Sequence, residues 1–206
     1  RRPCDPHRAP ELRQRGGLRN IPVYLDSPMA TNATALLYAY HDEHKLSSDE
    51  FQAAFAAVTY VQDVEESKAL SANPFPKVII SASGMATGGR VLHHIAAFAG
   101  SHQNTLLFSG FQAAGTRGRK LLEGDREVKI HGRWLPVNAE VAELPMLSAH
   151  ADRGELLRWL SGFSHPPRHV FVVHGEAEAS EALRERIQRE LDWPVSVPRQ
   201  NQEFPL

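Results

Sequence analysis

Two periods divide the apolar positions of this chain. Short apolar runs at residues 21–25, 59–61, 77–81, 105–108 and 170–173 read as strands, and between most of them apolar residues recur at helical spacing. Helices are predicted over residues 30–41, on Ala, Leu and Tyr positions, over 49–57, where Ser47 and Glu50 make a capping-box pair, and over 63–70, opened by Asp63 with Glu66 behind it. The run at 77–81 is expected to be a buried strand, because its apolar core is unbroken and β-branched. It breaks into Ser81-Ala-Ser-Gly-Met-Ala-Thr-Gly-Gly-Arg90 and then a helix whose Val91, Leu92, Ile95 and Phe98 share one face. Strand 105–108, the glycine loop 109–115 and a helix over 117–122 repeat the pattern. Strand, glycine loop, helix twice in succession marks an α/β fold with a parallel, doubly wound sheet and helices on both of its faces.

From Glu127 the pattern changes. Residues 128–131 and 135–141 flank Gly132-Arg133 and read as an antiparallel pair. Six Lys or Arg stand against three acids over residues 117–133, a basic strip or, as is commoner for such a run, a solvated helix and hairpin face. Asp152 caps a helix with Glu155 behind it, and Leu156, Trp159, Leu160 and Phe163 are expected to form its buried stripe. A helix on Ala179, Leu183, Ile187 and Leu191 and a strand at 195–197 follow. Residues 1–19, with six Arg and three Pro, read as a loose lead-in with a short helix near 11–15.

Composition narrows the partners. In 206 residues, 23 Lys and Arg meet 24 Asp and Glu, so no global basic excess announces nucleic acid, and a polyanion site must be local. The one cysteine, Cys4, rules out an internal disulfide and fits a reducing, cytoplasmic setting. No apolar run approaches a membrane span, and no charged-then-apolar leader is expected. A first residue Arg1 is expected for a piece of a longer protein.

The glycine turn after residue 81 offers free backbone N–H groups with a helix dipole behind them, a seat for an anion such as phosphate. Gly84, Gly88 and Gly89 match neither GxGxxG nor GxxxxGK[ST], and a plain tight turn without ligand stays open. Arg90, a cation in the first helical turn, needs an acidic partner or a bound anion. His150 and His174 each stand between a strand end and the next helix, at the rim where open α/β sheets gather ligands. His93 and His94 are adjacent and do not share a face.

Five segments carry a resemblance: residues 21–30 (IPVYLDSPMA), 81–90 (SASGMATGGR), 110–119 (GFQAAGTRGR), 148–152 (SAHAD) and 173–176 (VHGE). In this order they resemble the β-CASP family of metallo-β-lactamase-fold RNA nucleases, above all prokaryotic relatives of the cleavage and polyadenylation endonuclease. The resemblance implies that residues 1–20 are a linker, 21–122 a β-CASP lid, and 123–206 the return into a metallo-β-lactamase αββα fold, with RNA held between. It implies His150 as the general acid that protonates the leaving oxygen and His174 as a zinc ligand. It further implies phosphate contacts from Ser81, Ser83, Gly84, Gly88, Gly89, Arg90, Arg117 and Arg119.

The family's cofactor is a pair of zinc ions, which hold hydroxide in line with the phosphorus. Its His-x-His-x-Asp-His block appears nowhere in these residues. The chain is therefore expected to be the C-terminal portion of a ribonuclease, its partners RNA and a missing N-terminal half, inert and without zinc when alone. A homodimer stays open, and no membrane is expected. Two other readings remain: a non-catalytic module gripping RNA or a nuclease, and a small-nucleotide site in an ordinary α/β domain.

Overall fold

The computed structural model describes residues 21–40, 43, 47–145 and 150–204. The lead-in at 1–20 with its short helix lies outside these, as do Ser148 and Ala149 of the fourth motif. The chain divides into two compact units, residues 1–148 and 149–206.

The first unit runs β1 (Val23–Asp26), α1 (Pro28–Ala39), α2 (Ser48–Ala56), β2 (Val58–Tyr60), α3 (Val64–Ala72), β3 (Val78–Ser81), α4 (Val91–Phe98), β4 (Thr105–Ser109), α5 (Arg117–Leu122), β5 (Glu127–Ile130), β6 (Arg133–Pro136) and β7 (Glu140–Leu144). The helix starts follow local chemistry. The Ser27 hydroxyl accepts the Ala30 N–H ahead of Pro28, Ser47 and Glu50 close a reciprocal box, and Asp63 accepts the Glu66 N–H. Strand β1 pairs in parallel with both β2 and β3, and β4 pairs in parallel with β7. The fold is thus α/β with parallel strands between helices. The strands are hydrogen-bonded as a three-stranded and a two-stranded sheet, with β5 and β6 as a separate antiparallel hairpin.

Helix α4 supplies much of the core. Leu92, Ile95 and Ala99 pack with Phe108 of β4, Leu121 of α5 and Val128, Ile130 and Val137 around the hairpin. Burying apolar surface of this kind stabilises by about 25 cal/mol per Å².

Two expectations in this unit need correction. The run at 77–81 is not buried on both faces: Val78 and Ile80 are 46% and 48% exposed. Strand β3 is an edge strand, and an apolar run alone does not say how many of its faces are covered. The run at 135–141 is not one strand. Leu135 pairs with Val128 in the hairpin, but the N–H groups of Asn138 and Ala139 both donate to Ala99 O at 2.8 and 2.9 Å. That tie turns the chain away into β7, which joins β4.

The second unit runs α6 (Arg153–Leu160), β8 (Val170–Phe171), α7 (Ala177–Leu191) and β9 (Val195–Ser196), with β8 and β9 parallel. Asp152 and Glu155 close a capping box on α6. Its buried residue is Leu157, packed with Val172, Ile187 and Trp193, and Leu160 lies against this cluster. Leu160 of the expected stripe does pack there, whereas Leu157 takes the place expected of Leu156. Leu156 and Leu157 are adjacent, so a helical stripe can be drawn through either, and the packing takes Leu157. Trp159 is 66% exposed and meets Phe163 edge-on at 5.2 Å.

Candidate functional site

The site in the first unit is built outward from Asp26, the last residue of β1, whose side chain is 0% exposed. Its carboxylate accepts hydrogen bonds from Ser67 Oγ at 2.5 Å, Arg90 Nη1 at 2.5 Å and His94 Nε2 at 2.6 Å. The Ser71 hydroxyl lies 3.0 Å from the other ring nitrogen, Nδ1, of His94. Burial alone would raise the Asp26 pKa, but the bonds from Ser67, Arg90 and His94, with the His94 charge, outweigh it and hold the carboxyl below its ordinary value. Here is the acidic partner that a cation in the first turn of α4 requires. Elements α3 and α4 meet β1 through this network, so it sets where the glycine turn begins.

The turn itself, residues 81–90, is largely self-satisfied. Ser81 Oγ donates to Asp26 O at 2.8 Å, and Ser83 Oγ accepts the N–H groups of Thr87 and Gly88. Gly89 has φ +78°, and a Cβ there would lie 2.6 Å from Ala82 O, so no other residue fits. Gly84 and Gly88 have open space where a side chain would stand. Among the described residues, the N–H groups of Gly84, Met85, Gly89 and Arg90 have no internal acceptor.

The second glycine loop is stitched to the first. Gln112, 2% exposed, donates from Nε2 to Gly84 O at 3.1 Å and to Gly110 O at 3.3 Å. Its Oε1 has no partner among the described residues and lies against Gly118, where a Cβ would come within 1.9 Å of it. Arg117 spans three segments, donating from Nε to Lys129 O at 2.8 Å and from Nη1 to Ala86 O and Thr87 O at 3.2 and 3.3 Å. Arg119 pairs with Glu123 at 2.6 Å. All three arginines named from the sequence thus hold internal partners. Asp26, His94 and Gln112 were not singled out from sequence. A signal existed for His94: it falls within α4 beside Leu92 and Ile95, the helix's buried residues.

In the second unit His150 precedes the capping residue of α6, and His174 follows β8 with φ +67°, a left-handed conformation costly for a residue with a side chain. Gly175 after it approaches Ser180 closely, a Cβ there falling 2.3 Å from Ser180 Oγ, which sharpens the entry into α7. His150 and His174 both line one open cavity of about 570 Å³, with Arg153, Leu156, Val172 and Leu183. A second open cavity of about 650 Å³ in this unit is lined by Arg184, Arg199 and Phe204 and contains neither histidine.

Zinc can be tested against these donors. A catalytic zinc takes three protein ligands. Among the described residues no group of three or more His, Cys, Asp or Glu could hold a metal ion, so the described residues do not fit a zinc by themselves.

An α/β unit with glycine turns, followed by a unit with two histidines on one cavity wall, agrees with what the chain matches. A model described as the Beta-Casp domain matches residues 10–121, and one described as the Zn-dependent metallo-hydrolase RNA specificity domain matches residues 134–198. The chain belongs to the β-CASP family of metallo-β-lactamase-fold RNA nucleases. Ribonuclease TTHA0252 of Thermus thermophilus is 39% identical over 175 residues, 81% of this chain and 39% of that protein. Transcription termination factor FttA of Methanosarcina mazei is 33% identical over 189 residues, 86% of this chain and 30% of that protein. An RNase J-like protein of Methanocaldococcus jannaschii is 30% identical over 184 residues, 89% of this chain and 42% of that protein. The chain thus spans less than half the length of the curated relatives it matches. Among the described residues no helix is long and apolar enough to cross a membrane.

Proposed function

We propose that this chain is the lid and C-terminal part of a zinc-dependent hydrolase of RNA phosphodiester bonds, with residues 21–122 as the lid and 123–206 as the return into the catalytic fold. His150 donates the proton that the departing ribose oxygen needs. His174 contributes one ligand to a zinc centre whose other ligands lie outside the described residues, and the 206-residue chain alone does not cleave RNA. The observation that carries the reading is that His150 and His174 line the same cavity, in a chain matched by a zinc-dependent RNA specificity model. Phosphates are held by the unpaired N–H groups of Gly84 and Gly89, near Ser81, Ser83 and Gly88. Arg90, Arg117 and Arg119 add positive potential there. Since their bonds run to Asp26, to carbonyls and to Glu123, the arginines act mainly by shaping the turns. Contacts of this type fix register without reading bases.

The test uses the complete reading frame carrying a His-x-His-x-Asp-His block. His174→Ala lowers zinc content, whereas His150→Ala keeps the metal and loses turnover on RNA. Equal zinc loss in both variants, or zinc-dependent cleavage by the purified 206-residue chain, overturns this division of roles.

A further inference from the structure

Gln112 spans both glycine loops with one buried side chain. It belongs to the second loop, yet its Nε2 lies 3.1 Å from Gly84 O in the first, and 3.3 Å from both Gly110 O and Phe111 O. That company fixes which way the amide faces, because an oxygen placed among carbonyls would find no donor. Oε1 is therefore turned to Gly118, where it has no partner among the described residues and where a Cβ would fall 1.9 Å from it. A buried acceptor left unpaired is costly, and an apolar side chain of the same length would avoid that cost. An unsatisfied group of this kind calls for a reason other than packing.

The reason lies in the peptide planes. In a planar trans peptide the N–H points opposite to the C=O, and the Gly84–Met85 and Gly110–Phe111 bonds are both trans. With Gly84 O and Gly110 O drawn toward Gln112, the N–H groups of Met85 and Phe111 are turned away from it. Among the described residues neither N–H has an acceptor. Phe111 is exposed, as is Gly84 beside Met85, so a ligand can reach both peptides. Outward N–H groups in glycine loops are donors for phosphate oxygens. We propose that Gln112 is a positioning residue for phosphate: it fixes the Met85 and Phe111 N–H groups, one in each glycine loop, as donors to the RNA backbone without touching RNA itself. Gly118 shares the role by leaving room for Oε1. This rests on the RNA reading above and adds the second loop to the phosphate contacts of the first.

The experiment compares Gln112→Met with the unaltered 206-residue chain in thermal melts, in fluorescence anisotropy with a labelled oligouridylate, and in amide NMR during titration with inorganic phosphate. Methionine keeps the length and removes the orphan acceptor, so the melting midpoint should stay within about 4 °C. RNA binding should weaken about tenfold, the loss of one hydrogen bond to a charged group. The Met85 and Phe111 amide resonances should move with phosphate in the unaltered chain and stay still in the variant. Gly118→Ala, which forces Oε1 aside, should give a similar loss of affinity, and in a Gln112→Ala background it should cost little more. Unchanged affinity in Gln112→Met, or Met85 and Phe111 resonances that ignore phosphate in the unaltered chain, overturns the proposal. Affinity lost together with the midpoint, with additive losses in the double variant, also overturns it, since packing alone behaves that way. Cleavage by the complete protein separates the two claims. If His150-dependent cleavage is present and Gln112→Met binds RNA like the unaltered chain, the positioning role alone falls. If cleavage is absent, the nuclease reading falls and the phosphate titration still scores Gln112.

Discussion

Replacing Asp26 by Asn tests how much of the first unit rests on one carboxylate. The side chain is fully buried and accepts from Ser67, Arg90 and His94 at 2.5, 2.5 and 2.6 Å. An amide keeps the shape and loses the charge, and its NH₂ must face either Arg90 or the Ser67 and His94 donors. Breaking a buried ion pair by removing one partner costs about 3–5 kcal/mol, and each hydrogen bond to a charged group is worth about 1.5–3 kcal/mol. These overlap, so the expected loss is about 3–5 kcal/mol, a large share of the 5–15 kcal/mol typical of a domain. Urea titration of the chain gives the total, and native-state hydrogen exchange on α3 and α4 assigns the loss to this unit. A cycle with Arg90→Gln should return a coupling of at least about 1.5 kcal/mol. A loss under about 1 kcal/mol, or zero coupling, would refute the reasoning. The acid limb follows from the same residue. Because the folded pKa lies below the ordinary 3.8, the stabilisation is fully present above about that pH and is lost as pH falls through the folded value. The Asn variant should lack that limb.

Three further substitutions probe the turn and the corrected helix register. Gly89→Ala meets Ala82 O at 2.6 Å in a left-handed conformation, so it should lower stability by more than the 1–3 kcal/mol typical of such strain, read as a shift in the urea midpoint. RNA binding should weaken with it, and an unshifted midpoint would show that the turn is looser than described. Leu157→Ala should cost about 2–5 kcal/mol as a core truncation, while Trp159→Ala, on the exposed side of α6, should cost under about 1 kcal/mol. The reverse order in thermal melts would restore the stripe drawn from sequence.

Local signals were legible where a few neighbouring residues decide the outcome. Ser47 with Glu50 and Asp152 with Glu155 announced helix starts, and the glycine turns fell between strand and helix as read. What the pattern could not carry was long-range. Asp26 and His94 are sixty-eight positions apart and meet only when β1 and α4 are packed, so no local pattern joins them. Arg90 advertised a need for negative charge, and hydropathy had no means of telling an internal carboxylate from a bound phosphate. The stripe on α6 failed for a related reason: two adjacent leucines admit two faces, and only the packing against α7 and Trp193 chooses.

Arg117 carries a lesson for protein engineering. Its planar fork reaches carbonyls in two different directions at once, at Lys129 on one side and at Ala86 and Thr87 on the other. A lysine concentrates its donors on a single nitrogen and cannot bridge those directions. Exchanging arginines for lysines, a common charge-neutral edit, would leave the net charge at neutral pH unchanged here while unfastening three segments of backbone from one another.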